Sequence, residues 1–255
     1  MTVNEVTTRE GPPTDASPTH VGELYENPVT GERGVVRVAP RRSNGHLLVV
    51  DLYVRPGGAV AGEHVHPMTT ETFTVVRGEL RVRHDGRELR AGPGARLRIA
   101  PGTAHAFWNA GTEEARVVVE VQPGDRFVHL IRRLFLLAQD GRTDARGRPT
   151  PLQAAVIGRE FADTIRFTTL PRLVQRLLIG VLSPVALATG HRALDPADDS
   201  RELPTVDLEP LPAEIVDLIP VLAAAATGAE SSGRHRRPGT TSPTWPNSTT
   251  ISAGR

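Results

Sequence analysis

Between about residue 23 and residue 121, short apolar, β-branched runs alternate with breaks rich in Gly, Pro and Asp. The runs span 34–38, 47–54, 72–76, 80–83, 95–99, 104–108 and 116–121, a spacing that predicts an all-β sandwich or barrel. Thr30-Gly31, Pro56-Gly57-Gly58, Asp85-Gly86, Gly92-Pro93-Gly94, Pro101-Gly102 and Ala110-Gly111 supply fixed or positive φ angles where such strands reverse.

After Pro123 the apolar period changes from two to about 3.6. Phe127, Leu130, Ile131, Leu134 and Ala138 fall on one face and Arg126, His129, Arg132 and Arg133 on the other, which predicts an amphipathic helix. Thr150, Pro151 and Gln153 form a capping start for a second helix through Leu152, Val156, Phe161 and Ile165. A third is expected near 173–182, with Ser183-Pro184 as cap and restart and an end around Gly190. The apolar run 177–189 is about half a membrane-spanning length and contains a Pro, so it is expected to pack against the barrel or a twin subunit. Arg172, Arg176 and Arg192 beside it leave an interfacial membrane helix as the lesser alternative. Residues 195–210 read as linker and 212–226 as one more helix. The resulting organisation is a disordered lead over 1–20, a barrel over 21–124, a helical extension over 125–194, a linker with one helix over 195–227, and a disordered tail over 228–255.

Composition narrows the chemistry. The 255 residues are 38% hydrophobic, enough for a core, and the formal charge of +1 gives no strongly basic nucleic-acid surface, although all 30 basic residues are Arg. With no Cys, thiol catalysis, disulfides and Cys-ligated metal are excluded, so a metal must rest on His and carboxylate. The first twenty residues hold no apolar run suited to a signal peptide, and a soluble cytoplasmic protein is the expectation.

His64 and His66 stand two apart on an extended segment, which turns both imidazoles to one face. Glu71 follows five residues later, where a reversal through Pro67, Met68, Thr69 and Thr70 can bring its carboxylate beside the rings as a harder oxygen ligand. Downstream, His105 opens a strand after the Pro101-Gly102 turn, in phase with Phe107 and Asn109. His20, His46, His84, His129, His191 and His235 read as surface or hydrogen-bonded residues, and Glu63 as an outer-face or rim residue.

These segments resemble the two signature motifs of the cupin superfamily. The first, G-x5-H-x-H-x4-E-x6-G, is filled at Gly58, His64, His66, Glu71 and Gly78; the second is filled at Gly94, Gly102, His105 and Asn109, with Ala100 in place of the family Pro. The resemblance covers roughly residues 21–124 and implies a double-stranded β-helix (cupin, jelly-roll) barrel with one divalent transition metal on His64, His66, Glu71 and His105. Iron, manganese, nickel, cobalt, copper and zinc all suit three imidazoles and a carboxylate. Some cupins use the same pocket without metal, which stays open as an alternative.

In similar quercetinase-like cupins the equivalent of Glu71 also accepts a substrate hydroxyl proton, so Glu71 is the candidate catalytic residue. Strand phase puts Phe73, Val75 and Phe107 inward, either as an apolar substrate pocket or as barrel packing. Trp108, in the alternate phase, is expected outside beneath the helices. The expected activity is a metal-dependent enzyme on a small hydroxylated or carbonyl compound, with dioxygenase chemistry favoured. A non-redox isomerase or cyclase and a non-catalytic small-molecule-binding cupin are the alternatives. A homodimer is what the resemblance implies about partners; charge and sequence give no nucleic-acid partner, and a membrane stays the lesser alternative for the run 177–189.

Overall fold

The computed structural model describes residues 19–40 and 47–231, without the side chains of Asp199 and residues 226–231. The expected disordered ends fall outside the described residues except for 19, 20 and 228–231, as do His46 and His235. The chain divides into two units, residues 1–215 and 216–255.

The first unit is built on ten strands in chain order: β1 (Leu24–Asn27), β2 (Glu32–Val38), β3 (Leu48–Val54), β4 (His64–Val65), β5 (Thr70–Arg77), β6 (Leu80–His84), β7 (Arg87–Ala91), β8 (Arg96–Ile99), β9 (His105–Trp108) and β10 (Ala115–Gln122). Helices α1 (Asp125–Gln139) and α2 (Pro151–Glu160) follow, then strand β11 (Arg166–Phe167), helix α3 (Arg172–Ala188) and the short α4 (Pro196–Ser200). Helix α5 (Ala213–Asp217) lies at the junction of the units, and α6 (Pro220–Ser231) belongs to the second.

The strands form two antiparallel sheets, ordered β1-β2-β3-β10-β5-β8 and β11-β4-β9-β6-β7, the double-stranded β-helix arrangement. Alternation fixes what lies between them: Val36, Leu52, Phe73, Val75, Leu80, Val82, Phe107, Val117, Val119 and Val121 share one buried cluster. Every apolar run of the sequence became a strand. The strands it did not announce are β1, the two-residue β4 and β11, and β7. In β7 only Leu89 and Ala91 are apolar, and pairing comes from the two-residue Asp85-Gly86 loop, both residues at positive φ, which sets His84 opposite Arg87.

The helices depart from expectation in four places. Arg132 and Arg133, assigned to the solvent face of α1, are buried: Arg132 pairs with Glu23 at 2.7 Å and Arg133 with Asp198 at 2.7 Å. The reason is the segment read as linker. It carries α4 and lies along the barrel edge, with Leu24 N–H donating to Pro204 O (2.8 Å) and Val206 N–H to Gly22 O (2.9 Å). Helix α2 stops at Glu160, so Ile165 is not helical. Helix α3 runs unbroken through Pro184, while Ser183 donates to Ala155 O. The expected helix over 212–226 is two, separated before Pro220, which disfavours helical backbone at the residue it follows.

The apolar run of α3 does not pack against the barrel. It meets α2, where Ile179 lies over Gly158, and leaves Leu173, Leu177 and Val181 between 59% and 78% exposed in the single chain. Among the described residues no helix is long and apolar enough to cross a membrane.

Candidate metal centre

Glu71 sits on β5 in the six-stranded sheet, while His64 on β4 and His105 on β9 belong to the five-stranded one, so the site joins the two sheets. Register does part of the work. His64 stands directly opposite His105, and Glu71 lies between Ile99 of β8 and Val121 of β10. Pro101-Gly102 turns as expected despite Ala100: Gly102 has φ +80°, Thr103 N–H bonds Ala100 O, and Gly102 N–H bonds His66 O at 2.8 Å. Gly78 ends β5 at φ +74°, where a Cβ would lie 2.7 Å from Ala115 Cα, so the hairpin leaving the site admits only glycine without backbone movement.

The four side chains expected to converge do so. His64, His66, Glu71 and His105 are all buried, and one donor atom from each lies within 4.8 Å of the others. Glu71 Oε2 is 2.9 Å from His105 Nε2 and 3.5 Å from His66 Nε2, and the His64 and His105 ring centres are 4.4 Å apart.

The outer nitrogens are held as a ligand set requires. His64 Nδ1 bonds Gly62 O (2.9 Å), His66 Nδ1 bonds Thr164 O (2.6 Å) and His105 Nδ1 bonds Thr103 O (3.1 Å). A carbonyl only accepts, so each Nδ1 carries the proton and each Nε2 faces the centre. The His66 Nε2 is buried with no hydrogen-bond partner, an orphaned lone pair that a cation would satisfy. Three neutral imidazole nitrogens and one carboxylate therefore fit a divalent transition metal.

Electrostatics agree with this grouping. Burial pushes His64 down to about 3, helped by the neighbouring rings of His105 and His66, so it is a bare ligand at neutral pH. Burial alone would raise Glu71, but the imidazoles around it outweigh that and hold it down at about 2. Burial opposes protonation of His105, yet the hydrogen bond and charge of Glu71 carry its pKa above the ordinary histidine value.

His64, His66 and Glu71 line a cavity of about 120 Å³, several times what one water requires. Phe73 and Phe107 line it, their rings 5.6 Å apart; Val75 is buried in the core but is not part of the lining. Trp108 is half-buried, with the Arg83 guanidinium 5.7 Å from its ring centre.

The sequence reading missed what the region after the barrel contributes. Residues 164–168 return to the sheet, where β11 pairs with β4, placing Phe167 opposite His64 and the Thr164 carbonyl on His66. The Thr168 hydroxyl donates to the carboxylate of Glu63, which is half-buried. Phe127 of α1 stands 5.3 Å from the His66 ring, and Ile165 and Phe167 close the same wall. The helical period already put Phe127 on the apolar face of α1. Nothing in the sequence announced a strand as short as β11.

Residues 51–124 match the family model of the cupin domain. Over 72 residues the chain is 43% identical to "Polyketide synthase CurC" of Streptomyces cyaneus, and over 68 residues 35% identical to "Tetracenomycin polyketide synthase protein TcmJ" of Streptomyces glaucescens. These alignments take in 28% and 27% of this chain and 45% of each relative, so the chain spans less than half the length of the curated proteins it matches. Similar solved structures include a predicted oxalate decarboxylase of Thermotoga maritima, at 18% identity over 42% of this chain and 96% of that one with a TM-score of 0.37. Another is KdgF from Halomonas sp., at 18% identity over 39% and 84% of the two chains with a TM-score of 0.34.

Proposed function

We propose, from the premise that residues 51–124 are a cupin domain, that the chain is a metal-dependent enzyme acting on a small, largely apolar molecule bearing hydroxyl or carbonyl groups. The observation that carries this is the meeting of His64, His66, Glu71 and His105, the first three of them at the wall of an apolar cavity. A divalent ion held there supplies Lewis acidity and, for a redox-active metal, dioxygen chemistry.

The chain's own residues do the rest. Phe73, Phe107, Phe127 and Phe167 exclude water from the reacting end of the substrate and hold its apolar body. The carbonyls of Gly62, Thr164 and Thr103 fix the three imidazoles in the tautomer that presents Nε2. Glu71 turns one oxygen toward His66 and His105. Its carboxylate is the group we assign to receive the hydrogen bond of a substrate hydroxyl.

Dioxygenase chemistry is the first reading, and it requires a redox-active metal on these ligands. The likeness to two proteins named as polyketide synthase components favours the second, a non-redox isomerase or cyclase, because polyketides carry the carbonyls that a Lewis acid enolises. Substrate-dependent oxygen uptake separates the two.

The common premise is tested by elemental analysis of protein purified without an affinity metal column. About one transition metal per chain is expected in the parent protein and less than a tenth of that in His66→Ala and Glu71→Gln, since removing one donor from a four-residue site costs most of its affinity. Unchanged metal content in both variants ends the reading.

A further inference from the structure

Four carboxylates are buried among the described residues outside helices α4 to α6: Glu23, Glu32, Asp51 and Glu71. Glu23 pairs with Arg132, Asp51 with Arg37 and Arg116, and Glu71 with the histidines. Among the described residues no basic side chain pairs with Glu32, in a chain with 30 arginines. A buried carboxylate without a counter-charge is costly to keep, and such groups concentrate where a ligand uses them.

Glu32 opens β2, and strand alternation sends it to the same side as Gly34 and Val36; all three line the cavity that Glu71, His64 and His66 also line. Its cross-strand neighbour Asn27 lines the cavity too, but the Asn27 Oδ1 is engaged by the N–H groups of Val29 and Thr30. Most of the wall of the cavity that Glu32 shares with His64, His66 and Glu71 is apolar, including Val50, Leu52, Phe73 and Phe107. Burial pushes the Glu32 carboxyl up to about 7, with the Glu71 charge adding to the effect and the Thr30 hydroxyl offsetting part of it. Near neutral pH the group can therefore meet a ligand as donor or as acceptor.

We propose that Glu32 is the second polar anchor of the cavity, binding a hydroxyl on an otherwise apolar ligand whose other oxygen faces His64, His66, Glu71 and His105. The assignment rests on the reading of those four residues as a metal centre. It narrows the substrate class to apolar, ring-sized molecules with oxygen functions at two separated positions. Glu32 acts as a specificity residue, set apart from the metal.

The test uses the full chain loaded with zinc, which is redox-inert, and two matched pairs of probes: hydroquinone against phenol, and dihydroxybiphenyl against hydroxybiphenyl. Calorimetric titration of the parent protein is expected to show one dihydroxy probe bound about tenfold more tightly than its monohydroxy partner, the scale of one hydrogen bond to a carboxyl group. Glu32→Leu should reduce that preference to less than twofold, and Glu32→Gln, which keeps hydrogen-bonding capacity, should retain part of it. Zinc content should stay at one per chain in both variants. If zinc binds and Glu32→Leu keeps the preference, or the parent protein shows none or binds neither probe, the anchor is wrong and the metal centre stands. If the parent protein takes up no zinc, both readings fall.

Discussion

At the scale of single residues, the decisive proton is the one between His105 and Glu71. His105 already gives its Nδ1 proton to the Thr103 carbonyl, so a hydrogen bond from Nε2 to Glu71 requires the doubly protonated ring. That is why its pKa lies above the ordinary histidine value. A metal at Nε2 must displace that proton. His64, held down at about 3, has none to give at neutral pH. Zinc added to metal-free protein in weak buffer should thus release about one proton per ion near pH 6, read with a pH indicator. The sign follows directly. Below the raised His105 pKa, protons compete for the ligand, and apparent zinc affinity should fall about tenfold per pH unit; above it the affinity should level off. Zinc uptake without proton release at pH 6 would contradict the tautomer assignment.

At the scale of elements, what was legible followed from local rules. The alternation of β5 and β9 put Glu71 with Phe73 and His105 with Phe107, and the two-residue offset put His64 beside His66; all but His105 line the cavity, and His105 meets the other three ligand residues beside it. Strand β11 was not legible, because two residues carry no period and Ile165 continued the apparent helical pattern of α2. What places it is packing between distant parts of the chain. Phe161 and Ile165 share a buried cluster with Leu130 and Leu137 of α1 and Ile157 of α2, and this cluster fixes where Thr164 points. Phe161→Ala should therefore act at a distance from the site. Losing a ring that is 1% exposed is expected to cost about 3–5 kcal/mol in denaturant unfolding. With the Thr164 carbonyl loosened from His66, metal affinity should drop roughly 10- to 100-fold although all four ligands remain. Loss of stability with unchanged metal affinity would show that the helices only decorate the barrel.

At the scale of the whole first unit, the hidden part of the fold is its long-range ion pairing. Asp51 on β3 binds Arg37 and Arg116, and Arg116 also reaches the carbonyls of Glu209 and Pro210. With Arg132 on Glu23, these bonds strap residues 198–210 to the barrel edge. No sequence period encodes partners some ninety positions apart, so a Pro-rich acidic stretch read as linker. The four-residue cluster proposed to hold a metal would be a fastening of the same kind at the opposite level of legibility. His64 and His105 belong to one sheet and Glu71 to the other, so an ion shared by them would tie the sheets together and bind the native state but not the unfolded chain. Free metal at a hundred times its dissociation constant adds about 2.7 kcal/mol of stability. For a unit of this size each kcal/mol moves the midpoint by about 2–4 °C, so the metal-loaded protein should melt roughly 5–10 °C above the chelated one. Glu71→Gln should lose most of that difference, because it gives up most of the bound ion together with the donor that the six-stranded sheet supplies. Equal melting temperatures for loaded and chelated protein, with loading confirmed by elemental analysis, would mean that the ion adds nothing to the joint between the sheets.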